Sequence, residues 1–132
     1  MASAIYPKAK QAFLQGGINM STGVIRAVLV DTGAYTYNTA HDFYNDLSGV
    51  VGTESGAFTT KTFVDGLFDA DNITFTAVTG ATVEALVIFL DTGNVATDAL
   101  IAYIDQASAG LPATPNGGDI SIAWAVAGIF QL

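Results

Sequence analysis

The sequence predicts an all-β fold, mainly an antiparallel β-sandwich or jelly roll, with one or two short helices near the N-terminal third. Short runs of β-branched and aromatic residues recur along the chain, and Gly, Asn, Asp and Thr turn signals separate them. One run, residues 83–90, is apolar on both faces, which is typical of a strand covered on both sides. It follows an alternating segment, residues 73–78, across a turn at Thr79-Gly80. We expect these two segments to form a hairpin at the centre of the fold.

Further short strands are expected on both sides of this hairpin, because each candidate is bounded by turn residues. They are residues 24–30, 50–54, 58–64, 67–68, 100–105, 120–124 and 129–130. Trp124 alternates with two isoleucines in its strand, so we expect it to lie in the core rather than on a ligand-stacking surface. Strands of this length and spacing are typical of a sandwich or jelly roll.

The first helix is expected close to the N-terminus. Pro7 suits the first position of a helix, and Gly16-Gly17 is a natural stop. One face collects the apolar side chains of Tyr6, Ala9 and Phe13. Because Lys8 and Lys10 are two of four cations, residues 1–19 have two interpretations. They form either a helix packed on the domain, which is favoured, or an arm that reaches an acidic partner.

A second short helix is expected over residues 39–47. Thr39 suits its N-cap position, Asp42 lies in the first turn, and Phe43 and Leu47 are four residues apart. This segment contains His41, the one histidine of the chain, which we expect to be an exposed or capping side chain. Since no serine partner is indicated for it, a nucleophilic triad is not expected.

Composition limits the classes of function. The 132 residues predict one β domain spanning residues 1–132. The net charge of −8 argues against nucleic acid, because phosphate binding requires clustered Lys and Arg. Charged residues make up 12% of the chain, against a usual share of about 25%, so other copies or a partner are expected to cover part of the surface. No apolar run is long enough for a membrane span, and we expect a soluble protein made in a cytosol.

The sharpest signal of enzyme chemistry is Asp-Thr-Gly, which occurs at residues 31–33 and 91–93 after two apolar runs. Aspartic proteases pair two such carboxylates, which share one proton. A small aspartic-type hydrolase would therefore require Asp31 and Asp91 to meet a carboxylate partner, within a chain or across a dimer. Asp and Gly are also the ordinary residues of turns that end strands, and this is the favoured interpretation.

Metal and cofactor sites are not expected. One histidine and no cysteine argue against zinc. Asp65, Asp69 and Asp71 offer oxygen ligands for a calcium-like ion, but their spacing lacks the rhythm of a calcium loop, so a solvated turn is favoured. We therefore expect no cofactor and no catalytic residues, and a protein that is not an enzyme.

Several stretches resemble a family of small proteins from tailed bacteriophages and prophages. They are YPKAKQAFLQGGIN (6–19), FDADNITFTAVTG (68–80), EALVIF (84–89), LIAYID (100–105) and GLPATPNGGDISIAW (110–124). The resemblance covers nearly the whole chain and includes no catalytic motif. It implies an accessory virion component, most simply a capsid decoration or cement protein.

Such a protein would bind the major capsid protein as a homo-oligomer, dimer or trimer, at the capsid surface of a virion made in the bacterial host cytoplasm. A tail or head-tail connector component is the alternative. The expected contacts with the capsid are Tyr6, Lys8, Lys10 and Phe13. Loop 110–118 is a second candidate. Deletion of residues 1–17 is then expected to leave a folded domain that no longer binds capsids.

Overall fold

The computed structural model describes residues 3–105 and 110–132, in which nearly all regular structure is β. In chain order the strands are β1 (Ala4–Ile5), β2 (Val24–Val30), β3 (Val50–Val51), β4 (Leu67–Phe68), β5 (Ile73–Phe75), β6 (Ala85–Asp91), β7 (Leu100–Ile104), β8 (Ile120–Ile122) and β9 (Phe130–Gln131). One α-helix among the described residues, α1 (Pro7–Leu14), follows β1. The strand pairs given for this part of the chain are antiparallel. The prediction of a mostly β, antiparallel protein is confirmed.

A five-stranded sheet with the order β1-β7-β6-β2-β3 carries the core. Strand β6 lies at its centre, and Ala85 to Phe89 are buried on both faces of the sheet, as their continuous apolar run predicts. The ladder between β2 and β6 is seven residues long, from Val24 opposite Asp91 to Val30 opposite Ala85. Strand β7 is also buried along its whole length.

The predicted central hairpin is wrong. Strand β5 does not pair with β6; it pairs with β8, and Phe75 lies opposite Ile120. The intervening chain turns away because Val78 exchanges backbone hydrogen bonds with residues 117 and 118, and Val83 does so with Ala113. Alternating side chains show that a strand has one buried face, but they do not identify its partner.

Two other predicted strands are shorter than expected or irregular. The segment 50–54 is paired only at Val50–Val51. Along residues 58–64, Phe58 N–H donates to the Ile25 carbonyl and Thr62 bridges Asp69, without forming a continuous strand. Trp124 lies just beyond β8, and its buried indole Nε1 donates to the Asp71 carbonyl at 3.0 Å. Its predicted place in the core is confirmed.

Helix α1 packs on strand β7 of the sheet, which is the arrangement favoured for this segment. Pro7 is its first residue, and the chain leaves the helix at Gly16 with a φ of +74° that glycine adopts readily. Tyr6 and Ala9 are buried, and Tyr6 N–H donates to the Ile101 carbonyl of β7.

The predicted helix over residues 39–47 is wrong. It is reduced to a short 3-10 turn, Tyr44–Asp46. Phe43 has an extended backbone and bridges Ala99, while the Asp46 carboxylate accepts from the Asp42 and Phe43 backbone N–H groups. Side chains that hydrogen-bond the nearby backbone favour turns over continued helices.

Candidate functional site

A largely apolar groove of about 800 Å³ lies between α1, the edge strand β1 and the C-terminal strand β9. Its walls come from four parts of the chain that are distant in sequence, residues 3–14, Tyr37, Ile104 and residues 129–132. The lining residues are Ser3, Ala4, Ile5, Pro7, Lys10, Phe13, Leu14, Tyr37, Ile104, Ile129, Phe130, Gln131 and Leu132. Concave apolar surfaces of this size are where proteins usually bind ligands or partner segments.

A smaller apolar pocket of about 100 Å³ adjoins one side of the groove. The two share Phe13, Phe130 and Leu132, and the pocket extends toward Phe63 and Phe68. The rings of Phe68 and Phe130 pack at 5.1 Å, and those of Phe63 and Phe68 stack at 5.8 Å. The groove therefore has an aromatic side pocket large enough for an aliphatic side chain.

The four residues expected to contact a capsid have different positions. Tyr6 is 0% exposed and supports the helix from beneath, so it does not reach a partner while α1 stays packed. Lys10 and Phe13 line the groove, whereas Lys8 is exposed on the same helix but is not part of the groove lining. Loop 110–118 contributes no residue to the groove lining. The structure thus brings Lys10 and Phe13 together and separates Tyr6 and Lys8 from them.

Leu14 is one of the groove residues that the sequence interpretation missed. It is 91% exposed at the end of α1, and it lies off the helical face that packs on the sheet. The sequence feature that could have identified Leu14 is an apolar residue two positions before Gly16-Gly17, where the helix was predicted to end. The C-terminal wall carried no such local signal, because residues 129–132 meet α1 only through tertiary structure.

The charge at the groove differs in sign from the net charge of the chain. Among the described residues that line the groove, Lys10 carries the charged side chain and none is Asp or Glu, although the lining residue Ser3 donates a hydrogen bond to Asp105. The chain as a whole carries a net charge of −8. Lys8, two residues before Lys10, is also exposed but lies on a different side of α1. The groove therefore suits an apolar partner surface that bears a carboxylate near its helical wall.

A hydrogen-bonded chain of tyrosines supports α1 and the groove floor. The hydroxyls of Tyr6 and Tyr35 share a hydrogen bond of 2.7 Å, and the Tyr35 hydroxyl bonds His41 Nδ1 at 2.8 Å. Tyr37, which lines the groove, packs against Tyr6 at 5.0 Å and Tyr103 at 5.5 Å between ring centres. His41 is half-buried at the end of this chain, so its expected role as an exposed or capping side chain is not observed.

The environment keeps these hydroxyls neutral. Burial, reinforced by the hydrogen bond to Tyr35, raises the pKa of Tyr6 far above its ordinary value. Burial also raises the pKa of Tyr35, although its bond to Tyr6 acts in the opposite direction. A neutral hydroxyl both donates and accepts, which is what a chain of consecutive hydrogen bonds requires. We infer a structural role for these tyrosines, since they hold α1 against the sheet.

The two Asp-Thr-Gly segments form turns of the same kind. Asp31 Oδ1 accepts from Gly33 N–H at 2.8 Å, and Asp91 Oδ1 accepts from Gly93 N–H at 2.9 Å. Asp31 follows the end of β2, whereas Asp91 lies opposite its first residue, Val24. Seven strand positions of about 3.3 Å separate them by about 23 Å, so they cannot share a proton within one chain. The favoured interpretation as turns is confirmed.

The ion pair of Asp91 predicts different stability effects for the two turns. Asp91 Oδ2 also accepts from Arg26 Nε at 2.8 Å, and both side chains are partly buried. We expect Asp91→Asn to lower the free energy of unfolding by about 1 kcal/mol more than Asp31→Asn, because it removes the nearer of the two carboxylates that pair with Arg26, the other being Glu54 at 3.8 Å. Urea unfolding at neutral pH measures the difference. Equal losses for the two variants would show that the Arg26 pair contributes nothing.

Two of the three carboxylates that were weighed as ligands for a calcium-like ion, Asp69 and Asp71 but not Asp65, accept local hydrogen bonds. Asp71 Oδ2 accepts from the hydroxyls of Thr59 and Thr60, and Asp69 Oδ1 accepts from Ala70 N–H. Within residues 3–105 and 110–132, no group of His, Cys, Asp or Glu is arranged to hold a metal ion.

Comparisons with known proteins give no family assignment: no family model matches the chain, and no curated protein matches it. In the described part of the chain, no helix has both the length and the apolar character needed to cross a membrane.

Proposed function

We propose that this chain is a bacteriophage virion structural protein, in particular a capsid decoration or cement protein that binds the major capsid protein through the groove beside α1. The observation that carries the proposal is the apolar groove itself, in which Lys10 and Phe13, two of the expected contact residues, meet the C-terminal strand. The role is structural rather than catalytic.

Exposed apolar side chains at the groove support a binding role. Leu14 and Leu132 are 91% and 60% exposed, and both line the groove. Exposed apolar surface around a concavity is typical of interaction sites in soluble proteins. Many copies on a lattice would gain avidity from individually modest contacts of this kind.

Two finer features belong to the same proposal. The protein would act as a homo-oligomer, dimer or trimer, because closed symmetry repeats one binding surface around a capsid axis. The three sheets would be arranged as a sandwich or jelly roll, with the five-stranded sheet facing the smaller pairs β4-β9 and β5-β8. The protein would be located at the capsid surface of the virion.

The copy number of the protein in purified particles tests its position. We expect quantitative mass spectrometry of particles from the phage or prophage that encodes the chain to give a number comparable to that of the major capsid protein. A handful of copies per particle would instead support the tail or head-tail connector alternative. Absence of the protein from particles would overturn the virion proposal.

A matched pair of surface variants tests the groove as the capsid-binding site. We expect Leu14→Gln to weaken binding to particles that lack the protein by about 10-fold or more, because an apolar side chain buried in an interface contributes about 1.5–3 kcal/mol. Val126 is also fully exposed but does not line the groove, so Val126→Gln should bind normally. Both sites are at the surface, so neither variant should unfold. Equal binding of the two variants to the particles would exclude the groove as the capsid-binding site.

A further inference from the structure

Asn116 and Gly117 form the one Asn-Gly pair of the chain, in the exposed loop before β8. In such a pair the backbone nitrogen of the glycine can lose its proton to solvent and attack the side-chain carbon Cγ of the asparagine. A C–N bond forms, the bond from Cγ to Nδ2 breaks, and ammonia departs from a succinimide ring. Water then opens the ring to aspartate or isoaspartate. No enzyme and no redox partner is required, so the local geometry of the chain sets the rate.

The side chain of Asn116 is folded toward the attacking nitrogen. Its Oδ1 accepts from Gly118 N–H at 2.9 Å, which closes an Asx turn. The hydrogen-bonded ring of this turn contains both Asn116 Cγ and the nitrogen of Gly117, so the turn holds the two reacting atoms close together. Negative charge develops on Oδ1 during the attack, and Gly118 N–H is directed at that atom. Because Asn116 is exposed, ammonia and water exchange with solvent.

Three other exposed asparagines form the same turn and provide an internal comparison. Oδ1 accepts from the N–H two residues later at 3.0 Å in Asn19, 2.8 Å in Asn38 and 2.9 Å in Asn94. The residues that follow them are Met, Thr and Val, whose side chains crowd the attacking nitrogen. Gly117 has no side chain and adopts a φ of +88°. Of the four turns, that of Asn116 is therefore the least hindered.

A hydrogen bond protects the nitrogen of Gly117 while the loop is closed. Gly117 N–H donates to the Val78 carbonyl at 2.7 Å, and Val78 N–H donates to the Gly118 carbonyl at 2.9 Å. Val78 is buried, so these two bonds tie the loop to the core. The nitrogen attacks only after it loses its proton, and the Val78 carbonyl holds that proton until the two bonds open. Local opening of this kind requires less free energy than global unfolding.

We propose that Asn116 is a site of spontaneous deamidation, and that opening of the two bonds to Val78 sets its rate in the folded chain. The product adds one negative charge to a chain whose net charge is −8. Isoaspartate also lengthens the main chain by a methylene group before Gly117, and it makes the acceptor of Gly118 N–H part of the main chain. Deamidation therefore weakens the attachment of the loop to the core. The reaction is independent of the proposed function of the chain.

Peptide mapping of the full-length chain measures the rates. Cleavage before aspartate places the four asparagines in separate peptides, 1–30, 31–41, 91–97 and 105–118. Isoaspartate at residue 116 gives a mass-shifted peptide that stays uncut, whereas aspartate gives a new cut. In urea, where the bonds to Val78 are lost, we expect Asn116 to react about tenfold faster than Asn94, because the valine after Asn94 lacks the conformational freedom of Gly117.

The folded chain should protect Asn116. In native buffer we expect Asn116 to react about fivefold more slowly than in urea, which corresponds to the opening of one hydrogen bond. Equal rates for Asn116 and Asn94 in urea would overturn Asn116 as a preferred site. Equal rates for Asn116 in urea and in native buffer would overturn the control by Val78.

A matched pair of variants tests the site without peptide mapping. Asn116→Gln and Asn94→Gln both keep an amide at an exposed position, so both should fold. The longer side chain of Gln cannot close the five-membered ring. We expect Asn116→Gln to remove most of the acidic species that ion-exchange chromatography detects after prolonged incubation, whereas Asn94→Gln should behave like the unchanged chain. Equal amounts of acidic species in the two variants would contradict the proposal.

The stability of the modified chain tests the consequence. The isoaspartate form, separated by ion exchange, should unfold in urea with an equilibrium constant about fivefold larger than that of the unmodified chain, the loss of one hydrogen bond. An unchanged constant would show that deamidation does not weaken the attachment of the loop to Val78.

Discussion

Deletion of residues 1–17 is expected to abolish folding. Tyr6 is fully buried, and its backbone N–H bonds β7. Loss of a buried large aromatic side chain alone costs about 3–5 kcal/mol, against a total stability of about 5–15 kcal/mol for a typical domain. The deletion also removes α1 and leaves β7 as an open apolar edge. This result would be the opposite of the expectation from sequence that the truncated chain keeps its fold.

Circular dichroism, size-exclusion chromatography and the dispersion of the amide NMR spectrum measure the outcome. The control is the double variant Lys8→Ala and Lys10→Ala, which changes two exposed side chains of α1 and should fold normally. A truncated protein with a dispersed spectrum and a cooperative thermal transition would show that residues 1–17 are a separable arm after all.

Replacement of Tyr35 by Phe is expected to lower the free energy of unfolding by about 2–3 kcal/mol. The Tyr35 hydroxyl bonds both Tyr6 and His41, so its removal leaves the hydroxyl of Tyr6 without that partner in a fully buried position. A buried polar group that loses its partner costs about 1–3 kcal/mol. His41 is half-buried and can form a hydrogen bond with water instead, so the loss of its bond to Tyr35 lowers the free energy of unfolding by less.

A double-mutant cycle separates this effect from ordinary packing. Tyr6→Phe should cost only about 1 kcal/mol, because Tyr35 keeps its bond to His41. The double variant should be no less stable than Tyr35→Phe, since it no longer buries an unbonded hydroxyl. Urea unfolding with a constant slope measures all three variants. If Tyr35→Phe costs no more than Tyr6→Phe, the hydrogen-bonded chain does not stabilise α1.

Local sequence was sufficient where a structural element depends on its own residues. The continuous apolar run that contains β6 predicted its central place, because only a strand covered on both faces can bury every side chain. Pro7 and Gly16 predicted the ends of α1, since one fits the first turn of a helix and the other adopts a positive φ after its last turn. The Asp-Thr-Gly turns also followed from local chemistry, in which an Asp side chain bonds the backbone two residues later.

Tertiary structure alone decided which segments meet. The pairing of β5 with β8 joins residues more than 40 positions apart, and alternation of side chains carries no information about the partner. The groove joins α1 to residues 129–132, and Tyr6 reaches His41 only through Tyr35. Such contacts are fixed by the simultaneous burial of the whole core. The sequence by itself therefore determined the type and ends of several elements, whereas the folded chain determined the groove and the residues that form it.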